Sequence, residues 1–145
     1  MSYEGSYQIA SVKDRILGGL IDVGLALVIT VPAAILGAVL AVVIGDGIGA
    51  LLNMVCSLGG AVAYIAFQWT KFWVNSTSFG KSKMNMKVVK KATDENVTTG
   101  NMLLRELVGY NISSLICMLG YIWIFIDKDK QTWHDKILGT VVVKN

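Results

Sequence analysis

The sequence predicts an all-α membrane protein, in which three hydrophobic helical segments form a bundle beside a small cytoplasmic β element. Hydrophobic residues make up 54% of the 145 residues and charged residues only 16%, whereas a soluble domain normally has about one quarter charged residues. The apolar residues are concentrated at 16–44, 47–70 and 107–126, and the only charged residue in these stretches is Asp22. This uneven distribution excludes a compact water-soluble domain and a disordered chain.

Each apolar stretch is long enough for a membrane helix, which needs roughly 20 apolar residues to cross about 30 Å of hydrocarbon. Helices are favoured because the backbone must satisfy its own hydrogen bonds in lipid. We therefore predict a single domain over residues 1–145, with helical segments at about 16–44, 47–73 and 102–126, a cytoplasmic loop at 74–101 and a tail at 127–145.

The distribution of Lys and Arg predicts the orientation of these segments. Basic residues lie next to the first segment, at Lys13 and Arg15, and throughout the loop at 74–101, whereas the short link at Gly45–Asp46 has none. The positive-inside rule therefore places the N-terminus and the loop in the cytoplasm and Asp46 on the far side. Four lysines in the tail predict a cytoplasmic tail as well, which conflicts with a third full crossing. The alternative is a re-entrant third segment that turns near Ser113 and Ser114.

Three short β-prone runs favour the cytoplasmic tail. Residues 84–89 alternate in an extended pattern, Thr93-Asp-Glu-Asn indicates a turn, and Val97-Thr-Thr is a candidate returning strand. A two-stranded hairpin is marginal alone, and the run that begins at Thr140 would add a third strand if the tail is cytoplasmic.

A cluster of lysines in the loop predicts contact with anionic lipid headgroups, because each lysine near such a surface contributes about 1 kcal/mol. Its members are Lys81, Lys83, Lys87, Lys90 and Lys91. We expect no nucleic-acid binding, since the aromatic and arginine residues that such a surface needs are missing. Phe79-Gly-Lys-Ser is not a phosphate loop, because Asn75 occupies the position of the required glycine.

Asp22 is the main candidate functional residue, because an ionisable group inside a bilayer is costly and usually has a partner or a polar cavity. Arg15 lies two helical turns earlier, and Arg105 lies beside Glu106 at the start of the third segment. Two hypotheses remain open. An unpaired buried carboxylate takes up a proton readily, as a proton or cation site requires, whereas an Asp22–Arg105 pair would be a static pin between helices.

Further polar residues within the segments either bond across helices or line a narrow path. They are Thr30, Asn53, Ser57, Gln68, Asn111, Ser113 and Ser114. A stripe of small residues at Ala33, Gly37 and Ala41 predicts close helix packing, within the chain or between copies. Since three segments enclose little volume, we expect any conduit to need a homo-oligomer.

No catalytic, cofactor or metal site is predicted. His134 lies beside Asp135, but no activated Ser or Cys accompanies them, and the two cysteines lack the spacing of a metal site. We therefore expect that the chain is not an enzyme.

Several blocks resemble the RDD family of bacterial membrane proteins, which is named for one Arg and two Asp. Arg15-Ile-Leu-Gly-Gly-Leu-Ile-Asp22 resembles the start of the family's first membrane helix, with Gly18 where the family usually has Ala. Thr77-Ser-Phe-Gly80-Lys81 is similar to its Thr-x-Gly-Lys stretch, with one extra residue, and Leu103-Leu-Arg105-Glu106 resembles its next block. The run from Thr132 to Val143 resembles its closing block, in which Asp135 corresponds to the second Asp.

The resemblance implies a multi-pass protein of the bacterial inner (cytoplasmic) membrane. The family is described mainly as membrane proteins of unknown activity, with some members reported as cation/proton antiporters. The hypothesis is passage of a small cation or solute coupled to protons at Asp22, with Arg15, Arg105, Glu106 and Asp135 as further transport or charge-pair candidates. The alternative is a non-transporting structural, assembly or regulatory subunit whose charges are helix pins.

Overall fold

Helices make up most of the computed structural model, which describes residues 8–45, 47–115 and 119–145, and the side chains in these ranges outside 108–122. In the described residues, the helices are α1 (Val12–Ile44), α2 (Ile48–Lys71), α3 (Phe79–Lys83), α4 (Thr99–Leu115), α5 (Leu119–Ile126) and α6 (Trp133–Ile137). The strands are β1 (Met86–Lys90) and β2 (Thr140–Lys144), and a 3-10 turn covers Trp73–Asn75.

The first two helices form an antiparallel hairpin. α1 begins earlier than the predicted segment, because the Ser11 side chain accepts a hydrogen bond from the Asp14 N–H at 3.1 Å and caps the helix. It continues through Pro32 and ends at Gly45, where φ is +87°. Two stretches, Val12–Ile44 and Ile48–Asn75, are long and apolar enough to cross a membrane. Most of the hairpin's large apolar side chains are exposed, Val42 by 84%.

Small residues set the close packing between α1 and α2. A Cβ atom on Gly37 would lie 2.8 Å from the Asn53 Oδ1 atom, and one on Gly60 would lie 2.8 Å from the Ala33 Cβ atom. Both approaches are closer than real Cβ atoms tolerate. The predicted stripe at Ala33, Gly37 and Ala41 therefore packs within the chain, and we refer to this contact as the α1–α2 seam.

The third apolar segment is divided between α4 and α5. Helix α4 continues to Leu115, so Ser113 and Ser114 themselves are helical, and a turn close to them stays a prediction. The chain between the two helices, 116–118, lies outside the described residues, as does Asp46. The first turns of α4 contact α6 through the Arg105–Asp135 ion pair. Helix α5 also contacts α6, because the ring centres of Trp123 and Trp133 lie 6.1 Å apart. Both ends of the segment therefore lie at the same end of the molecule.

The β element joins the loop to the tail. β1 and β2 pair antiparallel, with Val88 opposite Val142, which confirms a small sheet built from these two regions. The prediction of a returning strand at Val97 was wrong, because pairing there is limited to one bridge between Val89 and Asn96. The free edge of β1 is already used, since the Val88 N–H donates to the Ser76 carbonyl at 2.7 Å.

The buried core lies at the polar end of the hairpin rather than between the long helices. Its hydrophobic members come from the N-terminal stretch, the 3-10 turn, both strands and α4, and include Ala10, Trp73, Met86, Val88, Val97, Met102 and Val142. This core fixes the loop and the tail against the first turns of α1, where the charged residues gather.

Candidate functional site: two carboxylate clusters

The first cluster surrounds Asp135 at the start of α6, and its carboxylate is fully buried. Thr132 and Asp135 form a capping box, in which the Thr132 N–H donates to Oδ2 at 3.2 Å and the Asp135 N–H donates to the Thr132 side chain. The Thr132 hydroxyl also donates to Oδ2, at 2.8 Å. The Thr140 hydroxyl donates to Oδ1 at 3.3 Å. These bonds hold the carboxylate rigidly between the short helix and β2.

Two guanidinium groups complete this Asp135 cluster. The Arg105 Nε atom donates to Oδ1 at 2.9 Å, and Arg15 Nη2 donates to Oδ2. Arg15 also donates to the Lys130 carbonyl. The arginine side chains are only 4% and 7% exposed. The Asp135 cluster therefore ties α1, α4 and α6 together through one carboxylate.

The charges of the Asp135 cluster are strongly stabilised. Burial raises the pKa of the Asp135 carboxyl, but the positive charges of Arg105 and Arg15 outweigh it and hold that pKa well below its usual range. Burial lowers the pKa of His134 to about 3; Asp135 opposes this shift and Arg105 adds to it. Asp135 therefore stays ionised and His134 stays neutral near pH 7.

The second cluster surrounds Asp22, one third of the way along α1. Its Oδ1 atom accepts from the Gly80 N–H at 2.7 Å and from Gln68 Nε2 at 3.2 Å, and its Oδ2 atom accepts from the Ser78 hydroxyl at 2.5 Å. Lys81 Nζ lies 3.6 Å from Oδ2. Hydrogen bonds from neutral groups therefore dominate the Asp22 cluster, and one more distant ammonium group supplies the positive charge.

Glycines allow the loop to reach Asp22. A Cβ atom on Gly18 would meet the Met86 side chain at 3.0 Å and the Gly80 main chain at 3.4 Å, so α3 crosses α1 at close range. Ser78 caps α3, since its side chain accepts from the Lys81 N–H. The same serine thus starts the helix and binds Asp22.

The predicted partners of Asp22 were wrong. The guanidinium groups of Arg15 and Arg105 bind Asp135, whereas the described donors to Asp22 come from Gln68 and from the loop at 74–101. Asp135, a further charge-pair candidate in the sequence, is the anion that both arginines share. Glu106 is half-buried and joins neither cluster.

The Asp22 cluster continues into a row of polar side chains on α2. Gln68 Nε2 donates to the Tyr64 hydroxyl at 3.2 Å as well as to Asp22. Ser57 and Asn53 follow at helical spacing on the same face. Among the described residues, none forms a hydrogen bond with the side chain of Asn53 or Ser57. We call Asn53, Ser57, Tyr64 and Gln68 the polar row; the side chains of Asn111, Ser113 and Ser114 lie outside the described residues.

The loop lysines are partly engaged within the chain. Lys81 faces Asp22, the Lys91 Nζ atom lies 2.5 Å from Asp129, and Lys90 lies 3.7 Å from Glu95. Lys83 is exposed, with its Nζ atom 5.5 Å from the centre of the Phe79 ring. Among the described residues, carboxylates therefore lie close to Lys81, Lys90 and Lys91, and the lipid contact stays a prediction.

Two signals in the sequence could have located the missing partners. Thr132-x-x-Asp135 has the spacing of a capping box and marks the start of a helix. Ser78 has the residue type and position of an N-cap before Phe79-Gly-Lys. Neither pattern shows which distant side chain binds the capping residue. Only the folded structure shows that Ser78 binds Asp22.

Comparisons with known proteins identify a family and several relatives. The RDD family model matches residues 9–139. The chain is 33% identical over 97 residues to the proline-rich antigen homolog of Mycobacterium tuberculosis, covering 66% of this chain and 40% of that protein. It is 25% identical over 95 residues to an uncharacterized protein of Rickettsia prowazekii, covering 66% of this chain and 52% of that protein.

The aligned parts thus cover about half or less of these relatives. No solved structure matches the chain. The family match extends over both carboxylate clusters, from the first turn of α1 to the end of α6, and the chain belongs to the RDD family.

Proposed function

We propose that this RDD protein is a multi-pass protein of the bacterial cytoplasmic membrane, with its N-terminus, loop and tail on the cytoplasmic side. The Lys and Arg distribution supports this orientation. The pairing of β1 with β2 supports a shared side for loop and tail. Contacts of Arg105 and Trp123 with α6 support a third segment that enters the membrane and returns.

We further propose that it passes a small cation or solute in a proton-linked manner, with Asp22 as the coupling group. The single observation that carries this proposal is the polar row, which ends at Asp22 through Gln68. From Asn53 to Gln68 the row extends about 22 Å along α2, most of the thickness of the hydrocarbon layer.

The chemistry of the Asp22 cluster suits a reversible step. A proton or a cation on the carboxylate would remove its attraction for Lys81, which lies 3.6 Å away. The Ser78 hydroxyl and the Gly80 N–H would still bond to the carboxyl group after it binds a proton or a cation. The fold would therefore be kept when the charge of Asp22 changes. By contrast, the Asp135 cluster holds its charge too strongly for such a step.

A second copy of the chain would complete the path. Asn53 is half-buried at the α1–α2 seam, where its Oδ1 atom lies close to Gly37, and Ser57 is exposed. An amide without a hydrogen-bond partner in hydrocarbon favours association with another polar helix. The Asn amide both donates and accepts, so two Asn53 side chains can bind each other across a two-fold axis.

Cysteine cross-linking tests this oligomer. Ser57→Cys, in a chain whose native cysteines are replaced by alanine, should form a disulfide-linked dimer in native membranes. Ala34→Cys, at an exposed position on α1, is the control and should remain monomeric. Equal cross-linking of the two variants would refute an interface at the polar row.

Proteoliposomes test the transport proposal. Flux of protons against K⁺ or Na⁺, measured under an imposed pH gradient, should be present in the wild type and lost in Asp22→Asn. Asp14→Asn is the matched control, because Asp14 is a carboxylate on the same helix that pairs with Lys144 at 2.8 Å and lies outside the polar row. Absence of wild-type flux for every small cation would refute this proposal.

One specific observation favours the second candidate function, a non-transporting structural or regulatory subunit. Both arginines are used to fix one buried carboxylate, as in a helix pin. If this function is correct, Asp22→Asn and Asp135→Asn should both impair assembly, without any associated flux. The expectations of no enzymatic activity, no cofactor and no nucleic-acid partner stay predictions, as does the contact of the five loop lysines with anionic lipid.

A further inference from the structure

A cleft of about 460 Å³ lies where α2 leaves its apolar stretch. It is bordered by the end of α2, the 3-10 turn, the segment after α3 and the start of β1. Lys71 and Phe72 line the side nearest to α2, and Lys87 lines the side formed by β1.

The cleft is unusually rich in amide side chains. Asn75, Asn85, Asn96 and Asn145 all line it, together with the Ser82 hydroxyl. Among the described residues, none forms a hydrogen bond with these four amides. Lys71 likewise makes no ion pair within the described part of the chain. These groups are therefore available to an external ligand.

A second cleft of the molecule provides a contrast. Its volume is about 540 Å³, and its lining includes Lys91, Asp127, Asp129 and Lys136. These charges are satisfied within the chain, because Lys91 binds Asp129 and Lys136 binds Asp127, each at 2.5 Å. The second cleft therefore offers few unused polar groups, whereas the amide cleft offers many.

The chemistry of the amide cleft indicates its ligand class. Asn side chains donate and accept at once, so a group of them suits a molecule with several hydroxyls. An ammonium group is a compact partner for phosphate. We infer that the amide cleft binds the hydroxylated phosphate headgroup of an anionic phospholipid such as phosphatidylglycerol, with Lys71 on the phosphate and the asparagines on the hydroxyls.

The surroundings favour a lipid over a soluble phosphate ester. Val74 lies beside the cleft and is 61% exposed, and Trp69 on the last turns of α2 is 41% exposed. Aromatic residues of this kind concentrate at the membrane–water interface. A headgroup in the cleft could therefore keep its acyl chains along α2. The inference does not depend on transport.

Lipid binding to the full chain tests the inference. Purified protein in a neutral detergent should retain phosphatidylglycerol in preference to phosphatidylcholine, as measured by native mass spectrometry. Lys71→Gln should reduce this preference about fivefold, the effect of one lysine near an anionic headgroup. Asn75→Ala should reduce the retention of phosphatidylglycerol relative to phosphatidic acid, whose headgroup lacks the glycerol hydroxyls.

Lys128→Gln is the matched control, because Lys128 is an exposed lysine that lines the other cleft. It should leave the preference for phosphatidylglycerol unchanged. An equal loss in both lysine variants would show general charge attraction and overturn the inference, as would equal retention of the two lipids by the wild type. If glycerol 3-phosphate binds as tightly as phosphatidylglycerol, the ligand of the amide cleft is not a membrane lipid and the inference is overturned. Unchanged thermal unfolding of the Lys71 variant shows that the fold is intact.

Discussion

The two carboxylate clusters lie close to the same end of the hairpin, but their negative charges are satisfied by different groups. Asp135 is fully buried and has two guanidinium partners. Asp22 is held mainly by a main-chain N–H, a hydroxyl and an amide, with Lys81 at 3.6 Å. The first arrangement suits a permanent charge and the second a charge that can change.

Under the transport proposal, this difference separates a structural charge from a coupling charge within a single family pattern. Arg15, Asp22 and Asp135 resemble equivalent members of one motif in the sequence. In the fold, Arg15 and Asp135 form one unit, whereas Asp22 belongs to another and connects with the polar row. The predictions below compare the two clusters, beginning with the largest expected effect.

Asp135→Asn should destabilise the protein most, by about 3–5 kcal/mol, because two buried guanidinium groups lose their shared anion. The measurement is reversible unfolding in mixed micelles. Asp127→Asn is the control, since Asp127 pairs with the 42% exposed Lys136 side chain, and it should cost about 1 kcal/mol or less. Similar losses of unfolding free energy in both variants would mean that the Asp135 cluster stabilises the fold no more than the Asp127–Lys136 ion pair does.

Gly37→Ala should come next, because it disturbs the seam that carries the polar row. The new Cβ atom would lie 2.8 Å from Asn53 Oδ1 and 2.9 Å from the Asn53 Cα atom, an overpacking that costs about 1–3 kcal/mol. Gly24→Ala is the control, because a Cβ atom there meets nothing within 4 Å. If the two variants unfold alike, the seam is looser than the structure indicates.

Asp22→Asn should cost about 1–2 kcal/mol, less than the change at Asp135. The asparagine oxygen can still accept from the Gly80 N–H, while its NH₂ group replaces the oxygen that faces Ser78 and Lys81. The same unfolding assay measures this cost. A loss as large as that of Asp135→Asn would indicate a second pin and argue against reversible charging of Asp22.

The sequence predicted the long helices and the participation of the loop and tail in one small sheet. These features depend on composition and on local patterns, such as the apolar stretch of α1 and the β-prone run at Thr140. The family resemblance was also confirmed, because the RDD family model matches residues 9–139.

The partners of the charged residues could not be predicted. An arginine two turns from Asp22 was the nearest candidate in sequence, yet the actual donors are Ser78 and Gly80, more than 50 residues away. Their approach depends on the close crossing at Gly18, and sequence spacing carries no information about it. The returning strand at Val97 failed for a similar reason, since Ser76 already occupied the edge of β1.

The last prediction is a dependence of stability on pH that comes from His134 in the Asp135 cluster. The pKa of His134 is lowered to about 3 in the folded protein, against 6.5 for a free histidine. The unfolded chain therefore binds a proton between these values while the folded protein does not. This contribution to stability is fully present above about pH 6.5 and is lost as the pH falls from 6.5 toward 3, by at most about 1.4 kcal/mol per pH unit.

His134→Gln should remove this dependence between pH 6.5 and 5, because glutamine does not titrate. Glutamine still places a polar group near the Thr132 hydroxyl, which lies 2.9 Å from the His134 ring in the wild type. Unfolding of both forms at pH 7.5, 6.0 and 5.0 measures the slope. A wild-type slope that persists in the variant would assign the acid sensitivity elsewhere.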